Sequence, residues 1–171
     1  TITNGTCINR DTIRIIVAAA ITANAGPDQT ICNLFTANLA GNTAAPGSGV
    51  WTTTGTAVIA NTALATSGVS NLSFGNNQFI WTITNGSCVS RDTVTIRVDS
   101  IVTANAGPDQ YICSSTGTAI MAANTPASGS GVWTTTSAAT IANTSNPTTG
   151  ISGMNSAGTY VYVWTITNGT C

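Results

Sequence analysis

The sequence predicts an all-β protein: tandem β-sandwiches strung along one chain. Three observations carry this. Short stretches return at a long, fixed period. Apolar residues alternate with polar ones in runs of five to eight. Clusters of Gly, Asn, Ser and Pro punctuate those runs. The period appears first in "TITNGTC" at Thr1–Cys7, which returns as "TITNGSC" at Thr82–Cys88 and as "TITNGTC" at Thr165–Cys171. Cys7 and Cys88 are 81 residues apart, and Cys88 and Cys171 are 83 apart. "ANAGPDQ" recurs at Ala23–Gln29 and Ala104–Gln110, and "GSGVWTTT" at Gly47–Thr54 and Gly129–Thr136. A period this long marks an array of modules, each large enough for its own core and close to the ~100 residues of an immunoglobulin-like sandwich. The division that follows is residues 1–18 as the last hairpin and final strand of a preceding repeat, 19–100 as one repeat, and 101–171 as a second repeat lacking its final strand.

Each element has its own signal. In "QFIWTIT", Phe79, Trp81 and Ile83 fall on one face; in "YVYVWTIT", Tyr162, Trp164 and Ile166 fall on the matching face. "DTVTIRV" sends Val94, Ile96 and Val98 one way and Thr93, Thr95 and Arg97 the other. This is the period-2 pattern of half-buried antiparallel strands. Asn85-Gly86 between the two runs is a strong hairpin signal. Upstream, "QTIC" follows a Gly-Pro-Asp turn and leads to short strands in "LFTANLA", "GVWTTT" and "TAVIA", separated by turn-rich stretches such as "GNTAAPGSG". No helical period is evident. About seven strands and two Trp per repeat (Trp51 and Trp81; Trp133 and Trp164) argue a sandwich.

Composition excludes several functions. Charged residues make up 5% of the chain, against about 25% in ordinary soluble domains. There is no His, Lys or Glu; every cation is Arg and every acid is Asp. The net charge of −1 offers no basic footprint for nucleic acid. No apolar run approaches a membrane span, "IRIIVAAAI" at Ile13–Ile21 being far too short. Without His, Lys or Glu, most general acid–base and nucleophile-activating constellations cannot be assembled. The expectation is therefore no enzyme, no catalytic residue, no cofactor, no metal, no nucleic-acid partner and no membrane insertion. Asp28 and Asp109 follow Gly-Pro, but calcium needs six to eight oxygens; each Asp is expected to bond its own turn backbone.

"ANAGPDQ" opening a module, a "W-T" central strand, then "WTITNG-C" and "DTVTIRV" closing it resemble the PKD-like family of immunoglobulin-type repeats. More narrowly, they resemble the Cys-containing form found in long secreted surface proteins of Bacteroidota, including gliding-motility adhesins. The resemblance spans essentially the whole chain, although the "WTTT" strand lacks the acidic, aromatic-rich segment common in the original PKD repeats. It implies a repeat unit of an extracellular, cell-surface fibre, stalk or adhesin. Its partners would be neighbouring repeats or subunits of the same kind, with surface glycans a candidate ligand. The alternative is a carbohydrate-binding or spacer module of a secreted enzyme.

The five cysteines are Cys7, Cys32, Cys88, Cys113 and Cys171. With no CxxC pair and no His, disulfides in an oxidising compartment are the better reading. Counting copies suggests Cys32–Cys88 and Cys113–Cys171, one per module, with Cys7 belonging to a preceding repeat. In a standard sandwich the first and last hairpins lie at opposite ends, and Cys32 would then reach Cys171 and join neighbours. Asp-Thr-Ile at Asp11, Asp-Thr-Val at Asp92 and Asp-Ser-Ile at Asp99 are similar to the O-glycosylation signal of Bacteroidota, which makes Thr12, Thr93 and Ser100 candidate acceptors. Arg10–Val17 aligns with Arg91–Val98, with Ile13, Ile15 and Val17 in the places of Val94, Ile96 and Val98. It is expected to serve as an inter-module strand, completing a sandwich made of other residues.

Overall fold

The computed structural model describes the backbone of residues 1–171 and every side chain except those of Thr3, Asn4 and Ile8. The chain is all-β, with no helix among the described residues. A leading hairpin pairs β1 (Ile2–Asn4) with β2 (Cys7–Asn9). The segment from Arg10 to Asp28 joins no ladder. The first sandwich follows: β3 (Gln29–Cys32), β4 (Ala37–Asn38), β5 (Ser48–Thr53), β6 (Val58–Ile59), β7 (Gly68–Ser70), β8 (Gly75–Asn85) and β9 (Cys88–Asp99). One sheet has the order β3-β9-β8-β5 and the other β4-β7-β6. Four of the five pairings in these two sheets follow the expected antiparallel sense, but β3 runs parallel to β9, with Gln29 opposite Ile96 and Cys32 opposite Asp99.

The alternation in the sequence becomes the core. Phe79, Trp81 and Ile83 of β8 and Val94, Ile96 and Val98 of β9 are buried against Leu39, Val69 and Leu72 from the facing layer. Trp51 lies directly across from Trp81, with ring centroids 4.9 Å apart. Both indole N–H groups donate to backbone carbonyls, of Ala65 and Asn42 respectively, each at 3.1 Å. A buried indole is thus left with no unpaired donor. Gly49 is required by the same pair, because a Cβ there would run into the Trp81 ring. The β8–β9 hairpin turns on Gly86-Ser87, with Asn85 paired to Cys88 and Gly86 at φ 59°. Glycine at the first central position is the pattern of a type II′ turn.

The second sandwich repeats this with β10 (Thr118–Ile120), β11 (Ser130–Thr135), β12 (Thr140–Ile141), β13 (Gly150–Ser152) and β14 (Tyr162–Thr167). Trp133 and Trp164 face each other at 5.1 Å, and a Cβ on Gly131 would meet Trp164 as one on Gly49 would meet Trp81. Its core is a separate cluster that includes Met121, Ile151, Met154 and Ile166. Here β14 pairs only with β11. No strand lies along its other edge, where β9 lies beside β8 in the first sandwich.

Candidate functional site: the joint between sandwiches

The backbone leaves β9 and enters the second sandwich through Asp99 and Ser100, and the joint is built around these two residues. Asp99 is buried. Its carboxylate accepts a hydrogen bond from Arg97 Nε at 2.7 Å and one from the Thr170 amide at 3.0 Å. Gly169 passes so close that a Cβ on it would collide with the Asp99 carboxylate. Asn168 Nδ2 donates to the Ser100 carbonyl at 2.9 Å and to its hydroxyl at 3.2 Å. The tip of the second sandwich's hairpin, Asn168–Cys171, therefore clamps the end of the first sandwich's final strand.

A disulfide locks the clamp. Cys32 bonds to Cys171, with Cα atoms 5.2 Å apart and a sequence separation of 139. Parallel pairing sets Cys32 beside Asp99, the Asn33 amide donates to the Asp99 carbonyl at 2.9 Å, and Cys171 Sγ lies 3.5 Å from that same carbonyl. This corrects the Cys32–Cys88 and Cys113–Cys171 pairing expected from copy counting. Cys32 and Cys88 sit at opposite ends of β9, and eleven residues of strand span about 36 Å. Disulfide geometry tolerates no more than about 7 Å between Cα atoms. Cys7, Cys88 and Cys113 are free thiols.

The same clamp recurs one period earlier. Asn85 Nδ2 donates to the Ala19 carbonyl at 2.8 Å, as Asn168 does to Ser100. The Cys88 thiol donates to the Ala18 carbonyl at 3.6 Å, in the place of Cys171 against Asp99. These two "TNG-C" tips thus each grip the linker that enters their own sandwich. What differs is the acid: Ala18 stands where Asp99 stands in the second joint, so the carboxylate bonds belong to that joint alone.

The remaining sequence candidates take ordinary places. Thr12 and Thr93 are exposed, Thr93 on the outward face of β9. Ser100 is half-buried and its hydroxyl is engaged by Asn168. Asp28 was expected to bond its own turn; instead it accepts the Thr95 amide at 2.8 Å. Asp92 accepts the Ala25 amide at 2.7 Å, and Ser90 Oγ the Ala23 amide at 2.9 Å. These three bonds stitch the "ANAGPDQ" segment onto β9. Ile13, Ile15 and Val17 are 86%, 80% and 90% exposed, and Arg10–Val17 is not folded back onto the first sandwich. No group of three or more potential metal ligands occurs among the described residues.

The hydrogen bond from Arg97, followed by the Thr170 amide, holds the Asp99 carboxyl below its ordinary value against the opposing pull of burial. A carboxyl depressed in the folded state contributes stability that is complete above its unfolded pKa of about 3.9 and is lost as pH falls through the lower folded value. The free energy of unfolding of the chain is therefore expected to drop more steeply with acid below about pH 4 than that of Asp99→Asn. Chemical denaturation across pH 2–7 checks this; parallel pH profiles for the two proteins would show that the Asp99 contacts contribute nothing.

No family model and no curated protein matches the chain. Among solved structures it is similar to the PKD domain from KIAA 1837 protein, in solution, with 20% identity and a TM-score of 0.42, over 56% of this chain and 99% of that one. It is also similar to domains 4–9 of surface layer protein SbsC, with 12% identity and a TM-score of 0.33, over 88% of this chain and 30% of that one. For SbsC domains 1–6 the values are 12% and 0.34, over 91% and 23%. The chain spans less than a third of either SbsC fragment. Its all-β architecture stands on its own strand pairing.

Proposed function

We propose that the chain is a structural repeat unit of an extracellular, cell-surface fibre, stalk or adhesin. Its immunoglobulin-like sandwiches, residues 19–100 and 101–171, follow one another in a linear head-to-tail array, with residues 1–18 closing a repeat before them. The observation that carries this reading is the recurrence of one clamp, Asn85 and Cys88 on Ala18–Ala19 and Asn168 and Cys171 on Asp99–Ser100. A joint built twice from the same motif is a rule for adding modules. A stapling disulfide suits an oxidising, extracellular setting. The chain's low charge suits an array whose surface is hydrated by Thr, Asn and Ser rather than by ions.

A carbohydrate-binding module would present aromatic rings along an open sheet face. Here the exposed rings are Phe35, Phe74 and Tyr111, and the first two cover each other edge-on at 5.2 Å. This favours the array. Electron microscopy of material shed from the native source is expected to show thin filaments with a regular axial repeat. Compact particles carrying the chain as an appendage of a larger globular protein would overturn the reading.

A further inference from the structure

Each joint is held by an asparagine followed by a glycine, and the fit of the joint demands both. Asn168 Nδ2 donates to the Ser100 carbonyl at 2.9 Å, and Asn85 Nδ2 to the Ala19 carbonyl at 2.8 Å. Both partners are carbonyl oxygens, so only the nitrogen end of the side chain serves. The next residue has to be glycine. Gly169 and Gly86 lie at φ 57° and 59°, and an added Cβ would run into the Asp99 carboxylate at the one and the Ala18 Cβ at the other. A side chain there would also shield the backbone nitrogen; without one, that nitrogen is free to approach the carbonyl carbon of the asparagine side chain. The pair that closes the joint is therefore also a pair prone to lose its side-chain nitrogen.

We infer that Asn85 and Asn168 are sites of enzyme-free deamidation, which the closed joint holds off and which keeps the joint open once it has occurred. The Gly169 amide nitrogen attacks Cγ of Asn168. The bond from Cγ to the side-chain nitrogen breaks, and that nitrogen leaves as ammonia with the amide proton. Water then opens the five-membered succinimide at one carbonyl or the other, giving aspartate or isoaspartate. No electrons are transferred, and water is the only co-reactant. In the closed joint two bonds hold the Asn168 side chain on Ser100, and the attack requires it to leave them. Cys32–Cys171 keeps the tip in place, so here the reaction waits on reduction of that bond. Two small-molecule thiols supply the two electrons and two protons and leave as a disulfide. The product cannot clamp again. A carboxylate sets oxygen against the Ser100 carbonyl with no donor between them. It also adds negative charge one residue from Gly169, which lies against the buried Asp99 carboxylate. At Asn85 the same loss meets no acid, since Ala18 stands in the place of Asp99.

The unaltered chain is aged in mildly alkaline buffer oxidised, reduced with a phosphine, and unfolded in guanidinium. Peptide mapping by mass spectrometry reads aspartate and isoaspartate at both sites. In the oxidised fold both are expected to convert more than about tenfold slower than in the unfolded chain, a protection that needs only about 1.4 kcal/mol of opening cost. Reduction should speed Asn168 several-fold and leave Asn85 alone, because the Cys88 thiol is free. The consequence is read separately. Asn168→Asp should lower the equilibrium constant for re-forming Cys32–Cys171 in a glutathione buffer by more than about tenfold. Asn85→Asp, at the other joint, should leave it unchanged. Asn168 converting as fast in the oxidised fold as in the unfolded chain overturns the inference. So does reduction that leaves Asn168 unchanged or speeds both sites alike, and so does Asn168→Asp closing the disulfide as readily as the unaltered chain.

Discussion

Cys32→Ser lowers the stability of the two-sandwich chain by about 5 kcal/mol, the chain-entropy value for a closed loop of this length. The bond joins residues 139 apart, so its loss frees nearly the whole unfolded chain. It also separates events. With Cys32 bonded to Cys171, unfolding of either sandwich is opposed by the other through the joint; without the bond, only the Asp99, Asn168 and backbone contacts couple them. Denaturant unfolding followed by Trp fluorescence is expected to show one late transition for the oxidised protein and two earlier ones for Cys32→Ser. Reduction of the unaltered protein should reproduce the variant. An unchanged midpoint would mean that the joint carries no stability.

Trp81→Ala strongly destabilises the first sandwich and spares the second. Trp81 is fully buried, stacks on Trp51 and closes over Gly49. Truncating a buried Trp costs about 3–5 kcal/mol. Total domain stability is only about 5–15 kcal/mol, so the loss is a large share of the margin. With the disulfide reduced, the remaining Trp133–Trp164 signal should retain its own transition, because the second cluster shares no core residue with the first. A single shared transition that moves with the mutation would instead show the two sandwiches to be one cooperative unit.

The strands of this fold were legible because alternation is a local signal. Phe79, Trp81, Ile83, Val94, Ile96 and Val98 could be placed on the core face from their spacing alone, and all six are buried. The joint was less legible. Whether Cys32 meets Cys88 or Cys171 depends on the sense in which β3 lies beside β9, and nothing within "QTIC" encodes parallel pairing. Asp99 appeared as part of a short glycosylation-like triplet; its role at the joint depends on Thr170, 71 residues away. Asn85, a turn former by its place in Asn-Gly, and its equivalent Asn168 are also the residues whose side chains hold the linker entering their own sandwich, and their signal is present in the repeated "TNG" itself. Asp28 was assigned to its own turn because that bond is local; the bond it makes is to Thr95, 67 residues on.

The Cys32–Cys171 bond also sets how the chain responds to being pulled. Force applied at the two ends passes from residue 32 to residue 171 through sulfur, bypassing everything between. An unfolded residue adds up to about 3.5 Å of length, so 139 residues represent about 480 Å of slack that the covalent bypass withholds. Oxidised, the stretch from Cys32 to Cys171 is a link of fixed length; reduced, the same residues can pay out under load.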